Sequence, residues 1–199
     1  MTSKEAARRI LAAGVALLVA PILMVGQAPV PMKIESFTGT TVNLNPGAGE
    51  NLKIDVFKWA TDAERDALLA VLREKGDSGV GVALEKAPTA GYVWDSGSLG
   101  YSVRYAQKVT LPDGGERIIV VTDRPLGSWG REAWKATGQT PTPGYPFTVV
   151  ELRLNKQGHG EGKMSLAAKV TADAKTITLE NYAAAPVLIN NVKRAASST

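Results

Sequence analysis

The sequence predicts a mainly β domain of antiparallel strands, arranged as a sandwich or a partly closed barrel, with one helical insertion. Three observations favour this class. From residue 91 onward, strand-like segments alternate with short polar turns, so sequential strands should pair antiparallel. Residues 52–59 alternate apolar and polar side chains, as a half-buried strand does. Helical signals are confined to residues 62–86, which leaves an α+β fold as the alternative.

The helical insertion follows the strand at 52–59. Thr61 and Glu64 have the spacing of a capping box, in which each side chain bonds the backbone N–H of the other residue. The helix should end at Gly76, because glycine is the common residue at a helix C-terminus. A weaker helical segment is predicted at 79–86, where two glycines each cost about 1 kcal/mol relative to alanine. Pro88 ends it.

The second half of the chain reads as hairpins. A Pro-Asp-Gly sequence at 112–114 is strong turn chemistry, and a glycine-rich loop at 155–162 separates the next two strands. Six strands are predicted in order, at 101–110, 117–123, 147–154, 163–171, 175–181 and 187–192.

The segment 125–146 breaks this pattern, because it carries no clear helix or strand. Structureless stretches of this length are uncommon inside a compact domain and are usually functional or disordered. Trp129 and Trp134 argue against disorder, which has few aromatic residues. We therefore expect this segment to fold back over the sheet or to line a ligand site.

The N-terminus has the order of a secretory signal. Basic residues precede position 10, an apolar run spans 10–25, and small residues follow at 26–28. The run has 16 residues, whereas a transmembrane helix needs about 20. Residues 1–28 are thus predicted to be a cleaved signal peptide. The mature protein would be exported to the periplasm or the cell exterior and would keep no stable membrane anchor.

The mature chain is predicted to contain one domain. Residues 29–50 are rich in proline, glycine, threonine and asparagine, and we interpret them as an N-terminal arm that pairs at a sheet edge. Residues 51–194 form the β-rich domain, and 195–199 form a disordered tail. The chain has no cysteine, which excludes disulfides, thiol catalysis and thiolate metal sites.

Charge and histidine content exclude further classes of function. The chain has a net charge of +4, and the signal segment, with three basic and one acidic side chain, accounts for half of it. The charge that remains is too small and too dispersed to predict a nucleic-acid partner. His159 is the only histidine, and neither a nucleophile-elbow motif nor a metal-binding motif occurs. No metal and no cofactor are predicted.

A candidate binding face comes from charges on the predicted strands. Glu151 and Arg153 lie two residues apart, on one face of the strand at 147–154, and arginines of neighbouring strands could join them. Such a face can bind an anion bidentately. It can equally be an ordinary ladder of cross-strand ion pairs, which is the commoner arrangement. The loop tryptophans are either an aromatic platform for a ligand or core residues. The candidate binding residues are Arg104, Arg124, Trp129, Trp134, Glu151 and Arg153.

Four sequence blocks also carry a family resemblance: residues 58–66, 122–125, 145–154 and 179–182. With them the chain resembles a family of secreted bacterial proteins of uncharacterised function, over about residues 50–194. The resemblance implies export and a single domain. It implies no activity, substrate or catalytic residue.

Three functional hypotheses follow. The first is an exported, non-enzymatic module that binds a small-molecule ligand or another envelope protein. The second is a carboxylate-based hydrolase that acts on an envelope or extracellular substrate. It would need two carboxylates within catalytic reach in one pocket, one with a raised pKa. The third is a structural envelope protein that pairs through an unpaired edge strand, at 32–44 or 187–192.

Overall fold

The structure is a computed structural model, and it describes residues 32–45, 49–97, 100–128, 134–136, 146–165, 169–172, 177–180 and 186–195. The signal-peptide prediction, Trp129 and the predicted C-terminal tail from 196 lie outside these residues. The strands are β1 Glu35–Thr41, β2 Leu44–Asn45, β3 Asn51–Val56, β4 Gly91–Trp94, β5 Tyr101–Thr110, β6 Glu116–Thr122, β7 Lys135–Ala136, β8 Val149–Leu154, β9 His159–Ser165, β10 Lys169–Ala172, β11 Ile177–Glu180 and β12 Val187–Arg194; the helix α1 is Asp62–Lys86.

Eight of the strands form a closed antiparallel barrel in the order β1-β12-β9-β8-β6-β5-β4-β3. The mainly β class is therefore confirmed, and the sandwich is wrong. The physical reason is β1, which pairs with β12 on one side and with β3 on the other, so that the sheet closes on itself. The described part of the predicted N-terminal arm is thus largely a barrel strand, with neighbours on both sides.

Side chains fill the barrel. Alternate residues of each strand point inward, and an eight-stranded barrel is just wide enough for its own side chains. Phe37, Val103, Val120 and Val150 are fully buried. The inward-facing cluster also includes Ile54, Val56, Val93, Ile118, Leu152, Met164 and Ile189.

A bulge shapes the strand pairing at β12. The register with β9 shifts between Ile189 and Val192, and Asn191 adopts a left-handed conformation with φ of 55°. Asparagine tolerates this region better than most residues. Gly39 faces the bulge from β1, and a Cβ there would lie 2.7 Å from Ile189 Cγ2. Glycine at 39 therefore lets the two strands approach.

The segment after β6 covers one end of the barrel. Leu126 is fully buried in the core, and the Gly127 N–H donates to the Tyr101 hydroxyl at 2.9 Å. Trp134 packs against the inward-facing cluster, and β7 after it pairs with β2. The described parts of segment 125–146 thus fold back onto the barrel, and Trp134 is partly buried against the core.

The other end of the barrel carries four charged side chains: Glu35, Lys108, Glu116 and Arg194. In the strand register each of them is opposite an inward-facing core residue. Glu35 pairs with Lys108 and, at 3.2 Å, with Arg194, and Arg194 also pairs with Glu116. Trp59 lies beside them, with Lys108 Nζ 5.0 Å from its ring centroid. The two acidic and two basic side chains neutralise each other. This end of the barrel is therefore closed by ion pairs rather than by apolar side chains.

The helix α1 packs on the outer face of β5, β6 and β8. The predicted capping box is present: the Glu64 N–H donates to Thr61 Oγ1 at 3.2 Å, and the Thr61 N–H donates to Glu64 Oε2 at 2.8 Å. Gly76 is non-helical, with φ of 66° and ψ of −163°. It divides α1 into two helical halves, which confirms both the predicted end at Gly76 and the second helical segment.

Close packing explains the two glycines that weaken the second half of α1. A Cβ at Gly81 would lie 2.7 Å from Pro146 Cγ, and a Cβ at Gly79 would collide with the Lys75 side chain of the first half. Because glycine has no side chain, these two positions allow close contact with Pro146 and between the two helical halves. The reduced helix propensity is the cost of that contact.

The predicted strand at 163–171 is divided in the structure. Its first part belongs to β9, which pairs with β8 and β12, whereas β10 pairs only with β11 in a separate two-stranded sheet. The strand at 52–59 ends early, at Val56, because the N–H groups of Phe57 and Lys58 both turn to the Ala90 carbonyl. Within the described residues, the structure has no helix with the length and apolar character that a membrane crossing requires.

The cap of α1 should make stability depend on pH. A hydrogen bond from Lys58, followed by one from the Thr61 N–H, lowers the pKa of Glu64 from 4.5 to about 2. Ionised Glu64 therefore contributes stability above pH 4.5, which is lost as pH falls through about 2. In urea unfolding, Thr61→Ala should cost about 1 kcal/mol at pH 7. The difference between the native protein and Glu64→Gln should shrink from pH 5 to pH 2, and a constant difference would contradict this account.

Candidate functional site

Three of the candidate binding residues, Arg104, Glu151 and Arg153, line two concave regions of the described structure. The first, the helix–barrel cavity, lies between α1 and the outer wall of the barrel at β5 and has a volume of about 230 Å³. The second, the charged groove, is a shallow depression of about 580 Å³ on the outer face of β6, β8 and β9. The two regions have different chemistry.

Alanines keep the helix–barrel cavity open. Six of its fourteen lining residues are alanines, and its larger apolar walls come from Leu68, Val71 and Leu84 on both halves of α1. An apolar cavity of about 150 Å³ holds benzene, so this volume has room for about ten non-hydrogen atoms. The alanines are Ala60, Ala67, Ala83, Ala87, Ala90 and Ala106, of which Ala90 and Ala106 also belong to the inward-facing cluster of the barrel.

Three charged side chains contribute to the cavity lining: Lys58, Glu64 and Arg104. Lys58 Nζ and Glu64 Oε1 form an ion pair at 2.5 Å, so these two charges neutralise each other. The lowered pKa of Glu64 keeps its carboxylate ionised at neutral pH. A general acid would need the opposite shift.

Arg104 ties the barrel to the end of α1. Its Nη1 donates to the Ala87 carbonyl at 2.9 Å and to Thr89 Oγ1 at 3.2 Å, and its Nη2 donates to Asp123 Oδ2 at 3.4 Å. Asp123 also receives a hydrogen bond from Arg124 Nε at 3.1 Å. The Arg104 Nε atom is enclosed and has no hydrogen-bond partner among the described residues.

Tyr105 forms part of the cavity floor. Its hydroxyl donates to Gln107 Oε1 at 3.1 Å, and burial raises the pKa of the phenol above its ordinary value. The phenol therefore stays protonated at neutral pH, when it can neither act as a base nor carry a charge. The floor beneath the charged side chains is thus uncharged.

The charged groove contains the predicted Glu151 cluster. Glu151 Oε1 lies 3.1 Å from Arg117 Nε, and Oε2 lies 3.7 Å from Lys163 Nζ. Arg153 is exposed and sits opposite Arg117 on one neighbouring strand and Glu161 on the other. The contacts of Glu151 are those of a cross-strand ion-pair ladder, with Glu151 nearly buried between two cations.

The structure divides the predicted binding face into separate parts. Arg104 and Arg124 meet through their shared partner Asp123, whereas Glu151 and Arg153 belong to the charged groove. Trp134 is partly buried against the core. The sequence carries no signal for the cavity alanines or for Lys58, because isolated alanines have no distinctive chemistry and their convergence depends on the path of α1.

The sequence alternatives can be compared with this geometry. The helix–barrel cavity is lined by one carboxylate, Glu64, so the described site lacks the second carboxylate that glycoside hydrolysis requires. Strands β1 and β12 both have two neighbours, so neither offers a free edge to a partner. Among the described residues, no group of three or more acidic or histidine side chains is placed to hold a metal ion.

No protein-family model, curated protein or solved structure matches the chain. The resemblance to secreted bacterial proteins therefore stays a prediction. Function has to be argued from the two concave regions themselves.

The Glu151 cluster leads to a stability prediction. Glu151→Gln should lower the free energy of unfolding by about 1–3 kcal/mol, because it leaves Arg117 and Lys163 without their shared counter-charge. Glu161→Gln is the matched control: it is the same change on the exposed neighbouring strand, and we expect an effect within about 0.5 kcal/mol. Chemical denaturation at pH 7 measures both. Equal effects would show that Glu151 has no special structural role.

Proposed function

We propose that this protein is an exported, non-enzymatic binding module that holds a small, largely apolar ligand in the helix–barrel cavity. The observation that carries the proposal is the set of alanines that leaves this cavity open against an otherwise filled barrel. A small molecule fits better than a protein partner, because about 230 Å³ accommodates about ten non-hydrogen atoms rather than a protein surface.

The interior of the described barrel offers less room for a ligand. It is occupied by side chains such as Phe37, Ile118 and Leu152, each no more than 1% exposed. One end is covered by Leu126 and Trp134, and the other by the ion pairs around Glu35. A ligand that needs an apolar surface therefore finds it outside the barrel wall, under α1.

The cavity walls favour occupation. Apolar surface in contact with water is unfavourable, and larger side chains at a few alanine positions would remove it. A ligand that covers Leu68, Val71 and Leu84 would remove the same apolar surface from water by binding. The open cavity is therefore better explained as a ligand-binding site than as a packing defect.

The available chemistry supports binding rather than catalysis. Glu64 is ionised and paired with Lys58, and Tyr105 stays protonated. Among the cavity-lining residues there is no histidine, serine or threonine to act as base or nucleophile. The hydrolase alternative would thus have to rely on groups outside this cavity.

A cavity-filling substitution tests the proposal. Ala83→Leu should weaken binding of the neutral probe 1-octanol at least about 10-fold, because the added side chain occupies the cavity. Ala70→Leu is the matched control, since Ala70 is an exposed residue of the same helix outside the cavity lining. NMR titration should show shifts centred on the methyl groups of Leu68, Val71 and Leu84. The proposal fails if the native protein does not bind the probe, or if Ala83→Leu binds it equally well.

Export is a separate prediction with its own test. It is supported by the basic start, the apolar run at 10–25 and the small residues that follow. N-terminal sequencing of protein from the host's cell envelope and culture medium should find a chain that begins at or next to Pro29. Recovery of a chain that still begins at Met1, in the cytoplasmic fraction, would contradict export.

A further inference from the structure

We infer that the ligand of the helix–barrel cavity carries an anionic group, such as a carboxylate, which pairs with Arg104. This inference rests on the proposed function and names the chemical class of its ligand. The expected ligand is a small amphipathic anion, whose apolar body lies against α1 and whose charged end lies at the β5 wall.

The first argument is that Arg104 is poorly neutralised. Its Nη1 bonds only neutral oxygens, those of Ala87 and Thr89. Its contact with the Asp123 carboxylate is long, at 3.4 Å, whereas well-formed charge-assisted bonds are about 2.7–2.9 Å. Asp123 is also shared with Arg124.

The second argument is the charge balance at the cavity. Lys58 and Glu64 cancel, while Arg104 and Arg124 share the single negative charge of Asp123. Arg104 therefore has only a share of one counter-charge beside apolar walls. A cation in such partly desolvated surroundings attracts an anion more strongly than it would in water.

A purely structural role for Arg104 accounts for only part of this arrangement. Ala87 is the C-cap of α1, and a cation beside it stabilises the partial negative charge of the helix end. That role is fulfilled by Nη1. It leaves Nη2 with one long contact, to Asp123, although the side chain reaches the cavity lining and is 23% exposed.

The test compares two probes of equal chain length, octanoate and 1-octanol, on protein expressed from the full chain. The native protein should bind octanoate at least about 10-fold more tightly at pH 7 and low salt, as expected for one charge-assisted hydrogen bond. Arg104→Lys should keep this preference, because it keeps the charge. Arg104→Met should abolish it while retaining 1-octanol binding, which also shows that this variant is folded.

Arg124→Met is the matched control. Arg124 shares Asp123 with Arg104 but does not line the cavity, so its loss should leave octanoate preferred. Increasing salt should weaken octanoate binding and leave 1-octanol binding unchanged, because salt screens only the charged interaction.

The outcomes separate this inference from the proposed function. Equal affinity for both probes in the native protein overturns the anionic ligand while the cavity remains a binding site. A preference for octanoate that persists in Arg104→Met overturns the role of Arg104. If neither probe binds, the proposed function fails, and the inference fails with it.

Discussion

The structure depends on the closure of the barrel by β1. This strand bonds to β3 on one edge and to β12 on the other, so none of the eight barrel strands keeps a free edge. Closure encloses the inward side chains at high packing density and leaves little internal space for a ligand. It also makes the outer wall the support on which α1 packs. The location of the helix–barrel cavity therefore follows from the closure of the sheet.

Local features of the fold were predictable because short sequences determine them. The capping box at Thr61, the interruption at Gly76 and the hairpin after Thr110 each depend on a few neighbouring residues, and each is present. Closure was not predictable in the same way. The segment of β1 is Glu-Ser-Phe-Thr-Gly-Thr-Thr, with Phe37 as its one large apolar residue. Its pairing with β12 joins residues far apart in the chain, which local periodicity cannot show.

The candidate site was less predictable than the fold. Alternation along a strand indicates which residues share a face, but not which strands become neighbours or what covers them. Arg104 and Glu151 therefore seemed to belong to one surface, although one reaches the end of α1 and the other joins Arg117 and Lys163. The cavity itself arises from missing side-chain volume. Alanine has no distinctive charge or periodic signal, so a group of alanines drawn from six places in the chain is visible only in three dimensions.

The pairing of β1 with β12 also has a consequence for how the protein is made. The first barrel strand leaves the ribosome long before its second neighbour, since Phe37 pairs with Arg194. Until the last strand has been synthesised, the outer edge of β1 stays open and the barrel cannot close. Such non-local pairing slows folding and exposes strand edges to other chains. A nascent or translocating chain would thus stay unfolded until nearly all of it has emerged, which is compatible with the export that we propose.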